Sequence, residues 1–482
     1  MKVQEKMIGY GVEAPARGGS RPQGFVALSK RTRIAGRVRR SRVFGVLLAI
    51  GLLLGLFTSL GVPVASAAKL PPANDIGITP TTIHIAIIAD VNNTVNPGVF
   101  KPSVNVMRAW TADVNAHGGL AGRKVVLDFC DSMLNPNASN NCVIQACSKD
   151  FALVGTAAVV ITDFQNIDDC TDEAGKAIGI PDLAGITFGN QEDCDPDTFA
   201  AIGGNASYCA TQHDTPQTYT EQVGDYRYFL SKFKHLTGIW VYNSAVPGAA
   251  TGQLPSYQAG SNVGVKKAGL GFYPEPGDVP QSGLTPIVDA IKQFSVSYVG
   301  NGSTPQELTL LRKEAQLQGV TSVKAWECQS GCYDTYFTEQ GGASVDGTYQ
   351  MLETIPFYTE CKLNPALARF SKYMGGTCAK LDSNSMLSLM AAFLFQNAVN
   401  KIVDSGKTLD RASLFNELKT GEHSFTADGL EGPTNVSGHE ESPCFMMVQV
   451  IHGKWQRVYP TKPGTLDCST KNRVTFQYNG SA

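Results

Sequence analysis

Ile83-His84-Ile85-Ala86-Ile87-Ile88-Ala89-Asp90 decides the fold. The run is short, apolar and β-branched, which suits a strand covered on both faces, as parallel strands are. A loop from Val91 to Pro102 follows, and then Val104, Met107, Trp110 and Val114 recur at spacings of three and four. That period predicts a helix with one apolar face. His117-Gly118-Gly119 closes it, glycine supplying the left-handed conformation that commonly ends helices. Lys124 to Phe129 is again strand-like. Strand, helix and strand in this order make a βαβ unit.

The alternation continues on the C-terminal side. Asn140 to Phe151 and Cys170 to Ile178 are expected helices, with strands at Ala157 to Ile161 and near Leu183 to Phe188. After a loop rich in Asp, Thr and Gln the pattern restarts. Helices are expected over Tyr219 to Lys234, Ser256 to Lys267 and Ile287 to Phe294, and strands over Leu236 to Tyr242, Leu270 to Tyr273, Val296 to Val299 and Val323 to Trp326. Thr304-Pro305-Gln306-Glu307 supplies an N-cap, a first-turn proline and the glutamate of a capping box. Beyond Gly347 the order changes. Tyr349 to Pro356 is extended, Ser383 to Val403 is a long apolar helix, Asp410 caps a shorter one through Lys419, and Phe445 to Ile451 with Lys454 to Tyr459 form a hairpin turned at His452-Gly453. Two βαβ series in succession predict an α/β protein of two lobes.

The chain has 482 residues, 43% hydrophobic and 17% charged, enough for a large packed core. Its formal charge of −2 hides an asymmetry: residues 1–67 carry 11 of the 40 Lys and Arg but 2 of the 42 Asp and Glu. The remainder is acidic, which argues against nucleic-acid binding. The N-terminal part contains Arg31, Arg33, Arg37, Arg39, Arg40 and Arg42, then the apolar run Val43 to Val64, then Ala65-Ser66-Ala67. Basic, apolar and small residues in that order form a secretory signal cleaved before Ala68; an uncleaved anchor over 43–64 is the alternative. All 12 cysteines follow that point, an even number suited to disulfides in an exported chain. Several lie at short separation, such as Cys194/Cys209, Cys328/Cys332, Cys361/Cys378 and Cys444/Cys468, although the spacing does not fix the pairing. No C-x2-C occurs, so zinc is not indicated.

No complete catalytic or phosphate-binding motif is present. Ser405-Gly406-Lys407-Thr408 lacks the upstream glycine of a phosphate loop and follows a helix instead of a strand. The seven histidines are scattered, and His84 suits a hydrogen-bonded core position. Asp168-Asp169 at a helix start fits the helix dipole as well as acid–base chemistry.

Several stretches together resemble the type I periplasmic binding proteins, in particular the leucine/isoleucine/valine-binding branch that serves ABC transporters. They are Ile76-Gly77-Ile78-Thr79, the strand Ile83 to Asp90, and Asp113-Val114-Asn115-Ala116-His117-Gly118-Gly119-Leu120-Ala121-Gly122-Arg123-Lys124. Asp131 with Asn135-Pro136 and Cys142, Gly179-Ile180-Pro181, Gly185-Ile186-Thr187 and Asp428-Gly429-Leu430-Glu431-Gly432-Pro433 add to the likeness. The resemblance implies two Rossmann-like lobes with parallel sheets flanked by helices, joined by three crossovers. Residues 68–218 and 349–438 would form lobe 1, and residues 219–346 and 442–482 lobe 2, after a leader of residues 1–67. It also implies a ligand between the lobes, at the carboxyl ends of the strands, where helix N-termini leave backbone N–H groups free.

Carried over position by position, the first-lobe candidates are Asn92 and Phe100, next to Val99; Asp163, Phe164, Gln165 and Asn166; and Gly185, Ile186 and Thr187. Those of the second lobe are Asn243 and Ser244, Asn301 and Ser303, and Gln329. Amino-acid binders of the family carry an acidic residue near Gln329; a neutral side chain cannot neutralise a buried ammonium. Glu327 substitutes only in a different strand register. The implied protein is a secreted, monomeric solute-binding component delivering a small amino acid, amide or organic acid to an ABC permease, without cofactor, metal or enzymatic turnover. A membrane-anchored sensor of the same fold and a disulfide-containing secreted hydrolase are the alternatives; the hydrolase lacks a legible nucleophile and base.

Overall fold

The apolar run at 83–90 folds into the centre of a parallel sheet. Strand β1 (Thr82–Ala89) pairs along its whole length with β2 (Lys124–Asp131) and on its other side with β3 (Ala152–Thr156), which pairs with β4 (Asp182–Ala184). The order is β2-β1-β3-β4. Both faces of β1 are covered: Ile83, Ile85 and Ile87 enter one core, Ala86 and Ile88 another. A strand alternating between two cores is apolar on both faces, and here only Thr82 and His84, at its partly exposed start, are polar. In a computed structural model, residues 72–480 are described except 74, 94–96, 160, 162–163, 246–248, 278, 329–330 and 358. The leader reading at 1–67, Asp163 and Gln329 lie outside the described residues.

The helix Lys101–Ala116 connects β1 to β2, and the helix Pro136–Lys149 connects β2 to β3. The turn closing the first is fixed by Gly119, with φ 82°. A Cβ there would lie 2.0 Å from the Arg123 carbonyl oxygen. Arg123 is buried and donates to the carbonyls of Thr79 and Ala121, tying the turn to the strand start.

The second sheet has the order β12-β11-β10-β9-β8-β6-β7. Its strands are β6 (Thr237–Asn243), β7 (Lys266–Glu275), β8 (Tyr298–Asn301), β9 (Ala325–Cys328), β10 (Thr348–Leu352), β11 (Met446–Ile451) and β12 (Lys454–Tyr459). β6 to β10 run parallel, and β11 and β12 add the expected hairpin, with positive φ at His452 and Gly453. A further pair joins β5 (Gln217–Gln222) to β13 (Arg473–Tyr478). The Thr304 capping box is formed, with both reciprocal hydrogen bonds.

The helix Ser383–Asp404 is long and apolar enough to cross a membrane, yet 67% of its apolar window is buried inside the protein. It packs against the Lys101–Ala116 helix and β3, with Ser388 Oγ donating to the Gly155 carbonyl at 3.0 Å. It is a core helix.

Four elements differ from expectation. The helix expected over 256–267 is Ala249–Val263, and Lys266 and Lys267 already belong to β7. Residues 170–178 form no helix. Asp172 accepts from the N–H groups of Ala174 and Lys176, Gly175 takes φ 78°, and a tight turn results. Local aspartate-to-backbone bonds there outcompete the helical ladder. The third strand is Ala152–Thr156 instead of Ala157 to Ile161, because the adjoining run is equally apolar and periodicity cannot fix the start. The helix expected from Tyr219 begins at Gly224; the preceding Thr- and Gln-rich residues form β5, whose partner β13 is remote in sequence. The four pairs named from the sequence are disulfides, and the other four cysteines form Cys130–Cys142 and Cys147–Cys170, so the nearest neighbours among these, Cys142 and Cys147, are not joined.

Candidate ligand-binding site

The carboxyl ends of β1, β3 and β4 carry the first set of candidates. Asp90, just past β1, is fully buried and organises them. It accepts from Ser132 Oγ at 2.6 Å, from the Leu134 N–H at 2.6 Å and from the Val159 N–H at 2.7 Å. One carboxylate thereby holds the loops after three strands, a role the sequence reading missed. Asn92 is exposed, and its Nδ2 donates to Asp131 Oδ2 at 2.6 Å. Phe100 is buried, edge-on to Phe188 with ring centroids 5.6 Å apart. Phe164 packs partly buried against the core, Gln165 is exposed and Asn166 half-buried, on the single-turn helix Gln165–Asp168.

After β4 the backbone N–H groups of Gly185 and Ile186 both donate to the Thr156 carbonyl, at 2.9 and 3.1 Å. Gly185 has no room for a side chain, since a Cβ would lie 2.7 Å from Ser388 Oγ. Thr187 is half-buried and bonded to Asp193, whose carboxyl is pushed up to about 6 by burial against the opposing pull of that hydroxyl.

The second sheet presents a different arrangement. Asn243, Asn301 and Ser303 are buried and turned into one network with two glutamates. Asn243 Nδ2 donates to Glu307 Oε1 at 2.9 Å, and Ser303 Oγ donates to Glu275 Oε2 at 3.2 Å and also to Glu307. Asn301 Nδ2 donates to the Ser303 carbonyl at 3.2 Å. Burial and the adjoining Glu307 push the Glu275 carboxyl up to about 7. Ser244 alone of the four is exposed, with its Oγ on the Glu275 carbonyl at 2.9 Å. Glu327 is buried, paired in register with Gly300, and accepts from the Tyr298 hydroxyl at 2.8 Å. It points into the aromatic core of this sheet.

Three glutamates without a sequence signal sit on the segments that run between elements of the first and second sheets. Glu221, on β5, accepts from Asn205 Nδ2 at 3.1 Å and Ser256 Oγ at 2.6 Å. Glu353 follows β10, and Glu441 precedes β11. Burial pushes the Glu221 and Glu353 carboxyls up to about 7. Burial raises the Glu441 carboxyl well above the usual range, with Glu353 and Glu221 adding to it. All three are half-buried.

Two cavities lie elsewhere. One of about 530 Å³ is lined by Tyr257, Ser261, Lys266 and Lys267 at the start of β7. The other, of about 340 Å³, is lined by Thr220, Glu440, Arg473 and Thr475 beside the β5–β13 pair. Neither includes a residue expected to touch ligand.

The chain is similar in structure to the leucine-binding protein of Thermotoga maritima at 14% identity, covering 78% of this chain and 97% of that one, with a TM-score of 0.57. It is similar to the leucine-, isoleucine-, valine-, threonine- and alanine-binding protein of Brucella ovis in its closed conformation at 13% identity, covering 82% and 95%, TM-score 0.60. A fatty acid ABC transporter substrate-binding protein from Thermomonospora curvata gives 16% identity, 82% and 98% coverage and a TM-score of 0.57. No curated protein matches the chain significantly. The periplasmic binding protein family model matches residues 82–454. With parallel sheets whose strand ends carry these loops, the chain belongs to the periplasmic binding protein family, a family of solute-binding proteins and not of enzymes.

Proposed function

We propose that this protein is the exported substrate-binding component of an ABC transporter. It takes up one small polar solute between two lobes and hands it to a membrane permease. The observation that carries the reading is the pair of parallel α/β sheets connected by three chain passages, within the matched family span. Two such bodies on three strands can close by hinge motion, and a solute favours closure only through contacts made in the closed form. The first lobe would comprise β1 to β4 with the Ser383–Asp404 helix, and the second β6 to β12; the expected return to lobe 1 at residue 349 is thereby moved past β10, which is a strand of the second sheet.

Six disulfides support export, since such bonds persist in oxidising compartments. Residues 43–64 would direct it, and an Ala68 N-terminus on the exported protein would exclude a tether there. Gly185 to Thr187, Phe100, Ser244, Asp163 and Gln329 would line the solute site. The buried Asn243, Asn301 and Ser303 would support it from beneath. Gln329 is neutral and Glu327 is engaged with Tyr298, so neither offers a free carboxylate for an ammonium. An amide or an amine-free organic acid is therefore the favoured solute class.

A thermal-shift screen of amino acids, amides, short organic acids and sugars tests this. A ligand bound only by the native state raises the midpoint according to its concentration over Kd. The expected result is a shift by an amide or organic acid, with a smaller radius of gyration by small-angle scattering. Tight calorimetric binding of leucine or valine would overturn the solute class. A ligand that binds without compaction would overturn the closure mechanism.

A further inference from the structure

At the amino-terminal edge of the first sheet, away from the loops described above, three side chains from separate elements converge. His84 is on β1, Asp128 on β2, and Asp150 caps the helix Pro136–Lys149 just before β3. One ligand atom from each lies within 4.8 Å of the other two. Asp128 stands opposite Ala86 in register, so it shares a sheet face with His84, the face covered by that helix.

Asp150 is wholly buried, and neither carboxylate oxygen accepts a hydrogen bond from any donor. It faces the Asp128 carboxylate. Two carboxylates set against each other need a proton or a cation between them. The neighbouring cations meet that need only in part, since Lys149 pairs with Asp128 and no cation bonds the Asp150 carboxylate. Arg411 spends its guanidinium on the carbonyls of Phe151, Thr171, Cys147 and Asp150 and on Cys170 Sγ, and forms no ion pair with the Asp150 side chain. Asp75 accepts from the Arg411 backbone N–H, and Asp172 adds its charge to the field around the Arg411 guanidinium. Lys149 Nζ is 3.7 Å from Asp128 Oδ1, with its side chain half in solvent.

We propose that His84, Asp128 and Asp150 form a second binding site, for a divalent transition-metal ion, at the edge of the sheet opposite the solute loops. One imidazole and two carboxylates suit borderline ions such as Zn²⁺ better than Ca²⁺ or Mg²⁺, which favour oxygen ligands alone. His84 Nδ1 is hydrogen-bonded to Asp128 Oδ2 at 3.4 Å, and the Asp150 oxygen lies within 4.8 Å of both, so an ion would replace that bond and draw the ligands inward. The first separation matches the donor–donor edge of about 3.3 Å in a tetrahedral site with bonds of about 2.0–2.1 Å. Water would supply the fourth position. The His84 and Asp128 side chains are each 34% exposed, which gives an ion an entry path and the ligands freedom to close on it. The elements are held rigidly, because Cys130–Cys142 and Cys147–Cys170 anchor β2 and the helix close to Asp128 and Asp150. Oxidised thiols do not compete as ligands. The helix C-terminus beside Asp150 adds further negative potential. The proposal does not depend on the solute reading.

The experiment is calorimetric titration of the metal-stripped, disulfide-intact protein with Zn²⁺ at pH 7.5, with Mg²⁺ and Ca²⁺ in parallel. One Zn²⁺ per chain is expected, with a raised melting midpoint and no response to the harder ions. His84→Gln, at a part-exposed position, is expected to weaken Zn²⁺ binding at least about tenfold. Asp150→Asn is expected to abolish the Zn²⁺-dependent midpoint shift. Co²⁺ is expected to give the visible bands of a four- or five-coordinate site, absent in His84→Gln. The absence of Zn²⁺ binding would overturn the proposal and leave a shared proton between the two carboxyls. Zn²⁺ binding unchanged in His84→Gln would place the ion elsewhere and overturn it equally.

Discussion

Gly119 and Arg411 show how single residues carry this fold. Gly119 adopts φ 82°, and a Cβ would collide with the Arg123 carbonyl; its neighbour Gly118 adopts φ 102° with open space around it. Gly119→Ala is therefore expected to cost more than about 1 kcal/mol in urea unfolding, and Gly118→Ala clearly less. Equal losses in the two would show that the turn yields and that the collision is not decisive. The glycine was legible in the sequence because helix ends advertise themselves locally. Arg411 was not. It is fully buried, and its value lies in satisfying carbonyls of four residues between Cys147 and Thr171, far away in the chain. Nothing beside residue 411 announces those partners. The same holds at the candidate solute site. Its loop positions followed from strand ends, whereas the burial of Asn243, Asn301 and Ser303 around Glu275 and Glu307 arose only when three strands came side by side.

Among elements, the segment after the Pro136–Lys149 helix depends on covalent support. Residues 170–180 make a turn without regular structure, held by Cys147–Cys170, by Arg411 contacts and by backbone bonds from Ile178 and Gly179 to the Cys170 carbonyl. Replacing Cys147 and Cys170 together by alanine is expected to destabilise the protein by about 2–4 kcal/mol in guanidinium titration. Hydrogen exchange should rise first in 165–180. Uniform exchange across both sheets would show instead that the bond acts on the unfolded chain alone. Capped helices such as Ser383–Asp404 and Pro305–Leu317 need no such bridge, since Asp382 and Thr304 close their first turns with reciprocal hydrogen bonds.

For the whole molecule, the controlling property is its store of buried acid groups. Burial is the chief cause of each shift. It pushes Asp182 and Asp193 up to about 6, Asp195, Glu221, Asp334 and Glu353 up to about 7, and Asp150 up to about 8. Unfolded, these carboxyls titrate near about 4. Between pH 4 and these raised values the folded chain holds protons that the unfolded chain releases, so stability falls as pH rises across that window. The thermal midpoint should therefore be higher at pH 5 than at pH 8, with net proton uptake on refolding. A flat or rising profile would show that water or cations compensate these groups. Glu221, Glu353 and Glu441 sit one on each passage between the sheets, so the same titration should alter the ease of hinge closure. Solute affinity measured across that pH range would reveal it.

Contacts between near neighbours in the chain were already readable from their residues. Their pattern set the buried parallel strand at 83–90, the helix caps and the hairpin turn. These follow from periodicity and from short-range hydrogen bonding, which repeat wherever the residues do. The pairing of β5 with β13, the buried contacts around Arg411 and the meeting of His84, Asp128 and Asp150 emerge from the folded arrangement alone. Each of these joins side chains whose separation in space depends on sheet order, and sheet order is set by the burial of whole elements and not by any local pattern.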